Sequence, residues 1–359
     1  MQPGVKSVVG RGPLINPPNR FEQIHLAPDP DAADEVDGEE QLSPRTQFFH
    51  DSSESILTYN DSPDVGFDVS VNAYRGCEHG CAYCYARPFH NYLGFSSGID
   101  FETKIMVKLR AAELLRNELA APKWRPQMVA MSGVTDCYQP AERHFKLTRA
   151  CLEVFAEFRN PVGIVTKNFL VTRDLDLLTQ LNERGCASVT VTVTSLDSEL
   201  SAKLEPRAAL PAQRLRAIRM LADAGIPVSV LIAPVVPGLT DHEISGILEA
   251  AVEAGARRAG YVVLRLPHSV KDVFGAWLDT HVPTKKERVL SRVRELRNGA
   301  LNVAEFGTRM RGEGIFAEQI RQLFTIQCRR LGLNRETSEL STANFRRPGG
   351  VQLGFEGLE

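Results

Sequence analysis

Tyr74-Arg75-Gly76-Cys77-Glu78-His79-Gly80-Cys81-Ala82-Tyr83-Cys84-Tyr85 is the stretch on which the reading of the whole chain turns. Its three cysteines stand at the spacing C-x3-C-x2-C and follow an alternating run, Phe67-Asp68-Val69-Ser70-Val71-Asn72, that reads as a strand. Three thiolates on one tight loop can hold three irons of a [4Fe–4S] cluster, whereas a fully ligated cluster takes four cysteines. The fourth iron is then open to a small molecule. Gly76 and Gly80 suit a loop that bends sharply around inorganic sulfide. A structural zinc site, the three cysteines plus His79 or His90, competes for the same residues. It is disfavoured because such sites usually pair two C-x2-C knuckles, and there is no second knuckle.

The triplet resembles the cluster loop of the radical S-adenosylmethionine (radical SAM) superfamily, C-x3-C-x-φ-C, with Tyr83 as the aromatic φ. Tyr74 to Arg87 is also similar to Tyr-Arg-Gly-Cys-x-His-x-Cys-x-Tyr-Cys-Tyr-Ala-Arg of the spore photoproduct lyase-like branch, often labelled DNA repair photolyases. The likeness covers roughly residues 60–266, and its motifs mainly describe the cofactor. It implies Cys77, Cys81 and Cys84 as iron ligands and S-adenosylmethionine as co-substrate. A reductase or a flavodoxin- or ferredoxin-type protein would supply the electron.

Regular strand–helix alternation supports the same architecture. Strands are predicted at 67–72, 127–133, 161–167, 187–194, 227–233 and 259–264, with helices at 104–121, 141–159, 174–185, 211–225 and 241–255 between them. Six such units mean parallel strands joined by right-handed crossovers. The expected fold is α/β, and the resemblance makes it a partial (β/α)6 radical SAM barrel over 60–266. Residues 1–50 are predicted to be a flexible extension, because 29–40 holds seven acidic residues and no basic one. A basic head clipped onto the barrel is the other reading of that segment. Residues 267–359 are expected to be a helical extension, locally basic: 307–347 carries eight arginines against four glutamates.

Composition narrows the class. The 359 residues are 43% hydrophobic and 24% charged, ordinary for a globular enzyme. A net charge of −2 argues against a globally basic nucleic-acid binder, though a local patch is compatible with it. No apolar run approaches the ~18 residues that span a bilayer. Seven cysteines, three of them on one loop, do not make a disulfide framework, so a reducing, cytoplasmic setting with no membrane partner is expected.

In parallel α/β barrels the reacting groups follow the C-terminal ends of strands. Strand two ends in Ser132-Gly133-Val134-Thr135-Asp136, where the resemblance implies that Ser132, Gly133 and Thr135 receive the methionine amine. Lys167 ends strand three, and an unpaired ammonium there is costly to bury. Facing the barrel mouth, it would pair with the S-adenosylmethionine carboxylate. Ser195 follows strand four at a position the family uses for ribose or carboxylate contact, and Glu205-Pro206-Arg207 comes after it. Arg309 and Arg311 sit on a glycine-hinged loop that either faces a phosphate or is solvated or paired with a glutamate. Cys151, Cys186 and Cys328 read as packing residues. Cys137, just past strand two, is the candidate hydrogen donor that the resemblance implies, although the family's cysteine precedes the serine turn, where this chain has Met131.

The resemblance implies a radical SAM enzyme: reductive cleavage of S-adenosylmethionine gives a 5′-deoxyadenosyl radical that abstracts hydrogen from a substrate, with damaged DNA one candidate and RNA, protein or a small molecule the others. The alternative is a zinc- or cluster-stabilised nucleic-acid-binding protein without turnover.

Overall fold

The computed structural model describes residues 10–21, 45–335 and 339–348. Among these, the strands are β1 (Gln47–His50), β2 (Leu57–Tyr59), β3 (Val69–Val71), β4 (Tyr74–Arg75), β5 (Lys104–Val107), β6 (Val129–Met131), β7 (Val162–Thr166), β8 (Ala187–Thr192), β9 (Val228–Val235) and β10 (Arg258–Val263). The six strands predicted from alternation are β3 and β6 to β10. They lie in one seven-stranded sheet of order β10-β9-β8-β7-β6-β3-β2, parallel throughout except for the β2–β3 hairpin. Within β7, Val162, Ile164 and Thr166 are buried while Gly163 and Val165 are half-buried, the period of two that a strand imposes.

The helices are α1 (Asp100–Thr103), α2 (Ala111–Ala120), α3 (Glu142–Phe145), α4 (Leu147–Phe158), α5 (Leu175–Asn182), α6 (Ser198–Leu204), α7 (Pro211–Asp223), α8 (Ile244–Glu253), α9 (Val270–His281), α10 (Lys286–Glu295) and α11 (Gly314–Leu331). The apolar faces of α4, α5, α7 and α8 meet the sheet in a single core that includes Phe155, Leu178, Ile218 and Leu248. A second cluster joins α9 and α10 to the cysteine loop: Cys81, Ala82 and Tyr83 share it with Val270, Phe274 and Trp277. The helical C-terminal part therefore buttresses that loop directly. Trp277 Nε1 also donates to the carbonyl of Lys203 at 2.9 Å.

The sheet stays open, with β2 and β10 as its edges. A strap of chain links the two. The Gly307 amide donates to Asp64 at 2.7 Å, Arg309 binds both Asp64 and Ser62, and the Val263 amide donates to the Met310 carbonyl at 2.9 Å. Arg309 is thus held by a carboxylate rather than solvated.

Three local expectations change. Lys104–Val107 begins as strand β5, not helix, because it sits between β1 and β4 in a small second sheet whose pairing overrides helical spacing. The single helix expected over 141–159 breaks at Lys146, which takes φ 53° and separates α3 from α4. In the stretch expected to be flexible, residues 10–21 pack onto the cysteine loop. A Cβ on Gly12 would stand 1.6 Å from the Gly80 carbonyl oxygen, so only glycine permits that approach. Arg11 and Asn19 are buried there, and Asn19 donates to the Asn91 carbonyl at 2.9 Å. The acidic run 29–40 lies outside the described residues.

Candidate active site

The loop of Cys77, Cys81 and Cys84 is anchored from both ends. β4 pairs with β5 immediately before it, and the Cys77 amide donates to the Phe101 carbonyl at 2.9 Å. Arg87, fully buried, donates from Nε and Nη2 to the Cys81 carbonyl at 2.9 and 2.8 Å and pairs with buried Glu102. Gln139 clasps the same loop, accepting from the Glu78 amide at 2.9 Å and donating to the Gly76 carbonyl at 3.1 Å. Gly76 and Gly80 both take positive φ, 82° and 72°. The three sulfurs therefore rest on a rigid frame whose bends only glycine makes without strain.

All three cysteines line one cavity of about 330 Å3 at the C-terminal ends of the strands, together with Tyr83, Ser132, Thr135, Lys167 and Arg265. Burial pushes the thiols of Cys77 and Cys81 up, Cys81 to about 12, and the neighbouring cysteines add to it. Such thiols become thiolates only when a metal takes the proton's place. Three sulfur donors on a fixed frame, facing a cavity large enough for a further ligand, fit an iron–sulfur cluster with one open iron. Of the two histidines proposed for zinc, His79 lines the same cavity as the cysteines and His90 does not. His79 Nε2 meets Asn168 at 3.0 Å and its Nδ1 faces Asp136 at 3.4 Å, while His90 packs against Phe95 and Phe101.

The turn after β6 is preformed. Asn72 Oδ1 accepts the amides of Gly133, Val134 and Thr135 at 3.0, 3.1 and 3.4 Å. Ser132 adopts φ 90°, and its hydroxyl accepts the Cys137 amide at 2.9 Å. Asp136 accepts Thr166 Oγ1 at 2.7 Å and the Lys167 amide at 2.9 Å, which ties this turn to the end of β7.

Lys167 also lines the cavity, but it has a protein partner. Its Nζ lies 3.0 Å from Glu205 Oε1 and 2.9 Å from the Tyr83 hydroxyl. Glu205, 1% exposed, accepts as well from Tyr83, Thr194 and Arg214. Burial alone would raise the Glu205 carboxyl; Arg214 and Lys167 outweigh that and hold it well below the usual carboxylate range. Two cations around one carboxylate leave a net positive wall beside the cysteines.

The structure thus brings Ser132, Gly133, Thr135, Lys167 and Tyr83 together with the three cysteines around one space. It does not bring Ser195 or Cys137 there. The Ser195 hydroxyl donates to Glu243 at 2.7 Å, and Asp197 beside it caps α6. Cys137 is buried in the main core, below the Ser132 turn, and is not among the cavity-lining residues. Asn72, Gln139 and the hub role of Glu205 escaped the sequence reading, since polar residues within motifs show no partner until the chain is folded. Arg87 stood inside the quoted motif, which was the only signal for it.

The fold and the site together define a class, and comparison with known proteins agrees. The model of the Radical SAM superfamily matches residues 71–251, and the chain belongs to that superfamily. It is an enzyme of the kind that uses S-adenosylmethionine with an iron–sulfur cluster. A relative in Mycobacterium tuberculosis, the uncharacterised protein Rv2578c, is 38% identical over 232 residues, 64% of this chain and 67% of that one. A radical SAM Nα-GlyT isomerase of Pseudomonas phage M6 is 30% identical over 178 residues, 49% of this chain and 35% of the isomerase. Among solved structures, spore photoproduct lyase complexed with dinucleoside spore photoproduct superposes with TM-score 0.55 at 15% identity, covering 80% of each chain, which shows a shared fold. Membership of an enzyme superfamily sets aside the binding protein without turnover. No helix among the described residues is long and apolar enough to cross a membrane.

Proposed function

We propose that this enzyme holds a [4Fe–4S] cluster on Cys77, Cys81 and Cys84 and uses it, with S-adenosylmethionine, to abstract hydrogen from a nucleotide unit of a nucleic acid. The observation that carries the reading is the facing of three cysteines and the Ser132–Asp136 turn across one cavity. When bound, the cluster and S-adenosylmethionine supply reducing electrons and a 5′-deoxyadenosyl radical. The chain's own residues do the rest. The Ser132–Asp136 turn, pinned by Asn72, offers fixed polar groups to the methionine amine. Lys167, with Glu205 and Arg214 behind it, sets a positive wall for the methionine carboxylate. Apolar Val165, Leu231, Val263 and Leu264 keep water from the reacting centre.

The nucleotide part of the reading is supported by a protein of similar fold, a spore photoproduct lyase solved with a dinucleoside. The electron donor would meet the outer side of the cysteine loop, where Arg11, Arg45 and Arg207 surround a second recess with Glu78 and Phe48. That charge suits a small acidic carrier of flavodoxin or ferredoxin type.

The test is anaerobic. Protein reconstituted with iron and sulfide, reduced with dithionite and given S-adenosylmethionine is expected to form 5′-deoxyadenosine, and the triple cysteine-to-alanine variant is not. A wild-type sample that carries one zinc, lacks iron–sulfur absorbance and yields no product would sink the proposal.

A further inference from the structure

Two guanidinium groups at the seam of the sheet have no role in what precedes. Arg265 stands two residues past the end of β10 and lines the cavity. Among the described residues it forms no ion pair. Its Nη1 donates to the sulfur of Met310 at 3.6 Å, a weak acceptor, and its Nε is buried without a partner. The guanidinium lies over the ring of Tyr85, 5.8 Å from the centroid. Tyr85 itself is 45% exposed, and its hydroxyl is fixed on the Gly133 carbonyl at 2.6 Å.

Arg297 stands behind. It is 2% exposed, donates from Nη2 to the Leu264 carbonyl at 2.7 Å, and leaves Nε and Nη1 buried without partners. One cation is thereby fixed to the residue that immediately precedes the other. Burial, then the nearby charge of Arg265, push the Arg297 guanidinium down to about 10, so Arg297 remains charged at neutral pH. The acids of this region are committed: Asp64 to Gly307 and Arg309, Glu313 to Asn298.

Unpaired charge is costly to bury, and a fold keeps it where something else compensates. The forked guanidinium is built for planar or tetrahedral oxyanions, phosphate above all. An aromatic face beside it is the usual platform for a base. The methionine carboxylate already has the Lys167 wall, after β7 and beside the cysteines. Arg265 follows β10, the sheet edge, with β9 and β8 between it and β7.

We propose that Arg265, backed by Arg297, receives a backbone phosphate of a nucleic-acid substrate, with the adjoining base set against Tyr85. The proposal rests on the nucleotide reading above and adds the residues that select for charge. A phosphate at Arg265 leaves its nucleoside inside the cavity that the cysteines line.

The experiment uses the reconstituted full-length protein and two fluorescently labelled probes, a short oligothymidylate and the same oligomer with uncharged methylphosphonate linkages. Anisotropy titration at fixed salt gives the affinity for each. Wild type is expected to prefer the phosphodiester by ~10-fold or more, the worth of a charged hydrogen bond. Arg265→Gln is expected to bring the ratio close to one, and Arg265→Lys, which keeps charge but not the fork, to leave it between the two. Equal affinity of wild type for both probes would overturn the proposal, as would a ratio that survives Arg265→Gln. So would Arg265→Gln losing S-adenosylmethionine in equilibrium dialysis with the ratio intact, since the arginine would then serve the cofactor. The readout is binding, so absence of 5′-deoxyadenosine would remove the catalytic reading without deciding this one.

Discussion

Lys167 with Arg214 and Arg265 with Arg297 are two pairs of cations at one cavity, and they are treated in opposite ways. The first pair shares Glu205, which accepts from both and from Tyr83 and Thr194 besides. The second has no carboxylate, only a carbonyl and a sulfur. A buried network with every acceptor in use rigidifies its surroundings. A buried cation with donors to spare keeps its attraction for a ligand. The same residue types are thus neutralised at the centre of the sheet, after β7, and left without a carboxylate at its edge, after β10.

The largest expected effect tests whether the satisfied wall is the cofactor wall. Cys81→Ala should lower 5′-deoxyadenosine formation by more than the ~100-fold typical of losing an outer partner of a metal site, read by chromatography of the anaerobic assay. Near wild-type turnover would detach the Lys167 wall from the chemistry.

Next comes the contrast in stability. Glu205→Gln leaves Lys167 and Arg214 buried without a counter-charge and should cost ~3–5 kcal/mol in urea unfolding. Because the folded carboxyl is held below its ordinary 4.5, its stabilisation is fully present above that pH and is lost as pH falls through the folded value. Wild type should therefore lose its margin over the variant on strong acidification. A constant margin down to low pH would mean that Glu205 carries no such linkage.

Ser195→Ala and Cys137→Ala sharpen the outline of the cofactor wall from behind. Loss of the hydroxyl bond to Glu243 should cost ~1 kcal/mol, with the KM for S-adenosylmethionine unchanged. Trimming the core thiol should likewise cost ~1 kcal/mol and spare 5′-deoxyadenosine formation. A several-fold rise in KM for the serine variant would restore that residue to the cofactor site.

The smallest effect belongs to the unsatisfied pair. Arg265→Gln removes a partly buried charge that has no partner, so the unfolding midpoint should move by less than ~1 kcal/mol, in either direction. A loss comparable to that of Glu205→Gln would show that Arg265 is scaffold after all.

Much of this was open to reading before folding. The six strands of the main sheet follow from β-branched and alternating runs, because side chains on a strand must divide between two faces whatever lies across from them. The cysteine triplet is equally local: three ligands on one loop need no distant residue, so their spacing and the surrounding motif carry the family resemblance without the fold. The same locality identified the Ser132–Asp136 turn and Lys167 at the ends of their strands. Misjudged elements are those whose conformation depends on a distant partner. Lys104–Val107 has helical spacing, yet β1 and β4 flank it and draw it into a sheet. Residues 10–21 look like a loose head until Gly12 meets Gly80. Ser195 and Cys137 stand at suggestive places along the chain, but the half-turn that follows a strand decides whether a side chain enters the cavity or the core. Which cation is paired depends likewise on residues tens of positions apart, Lys167 with Glu205 and Arg265 with Met310. Sequence by itself determined the class of chemistry, because its ligands are contiguous. Tertiary structure alone decided which charges are paired within the protein and which are not, because ion pairing is a matter of distance in space and not along the chain.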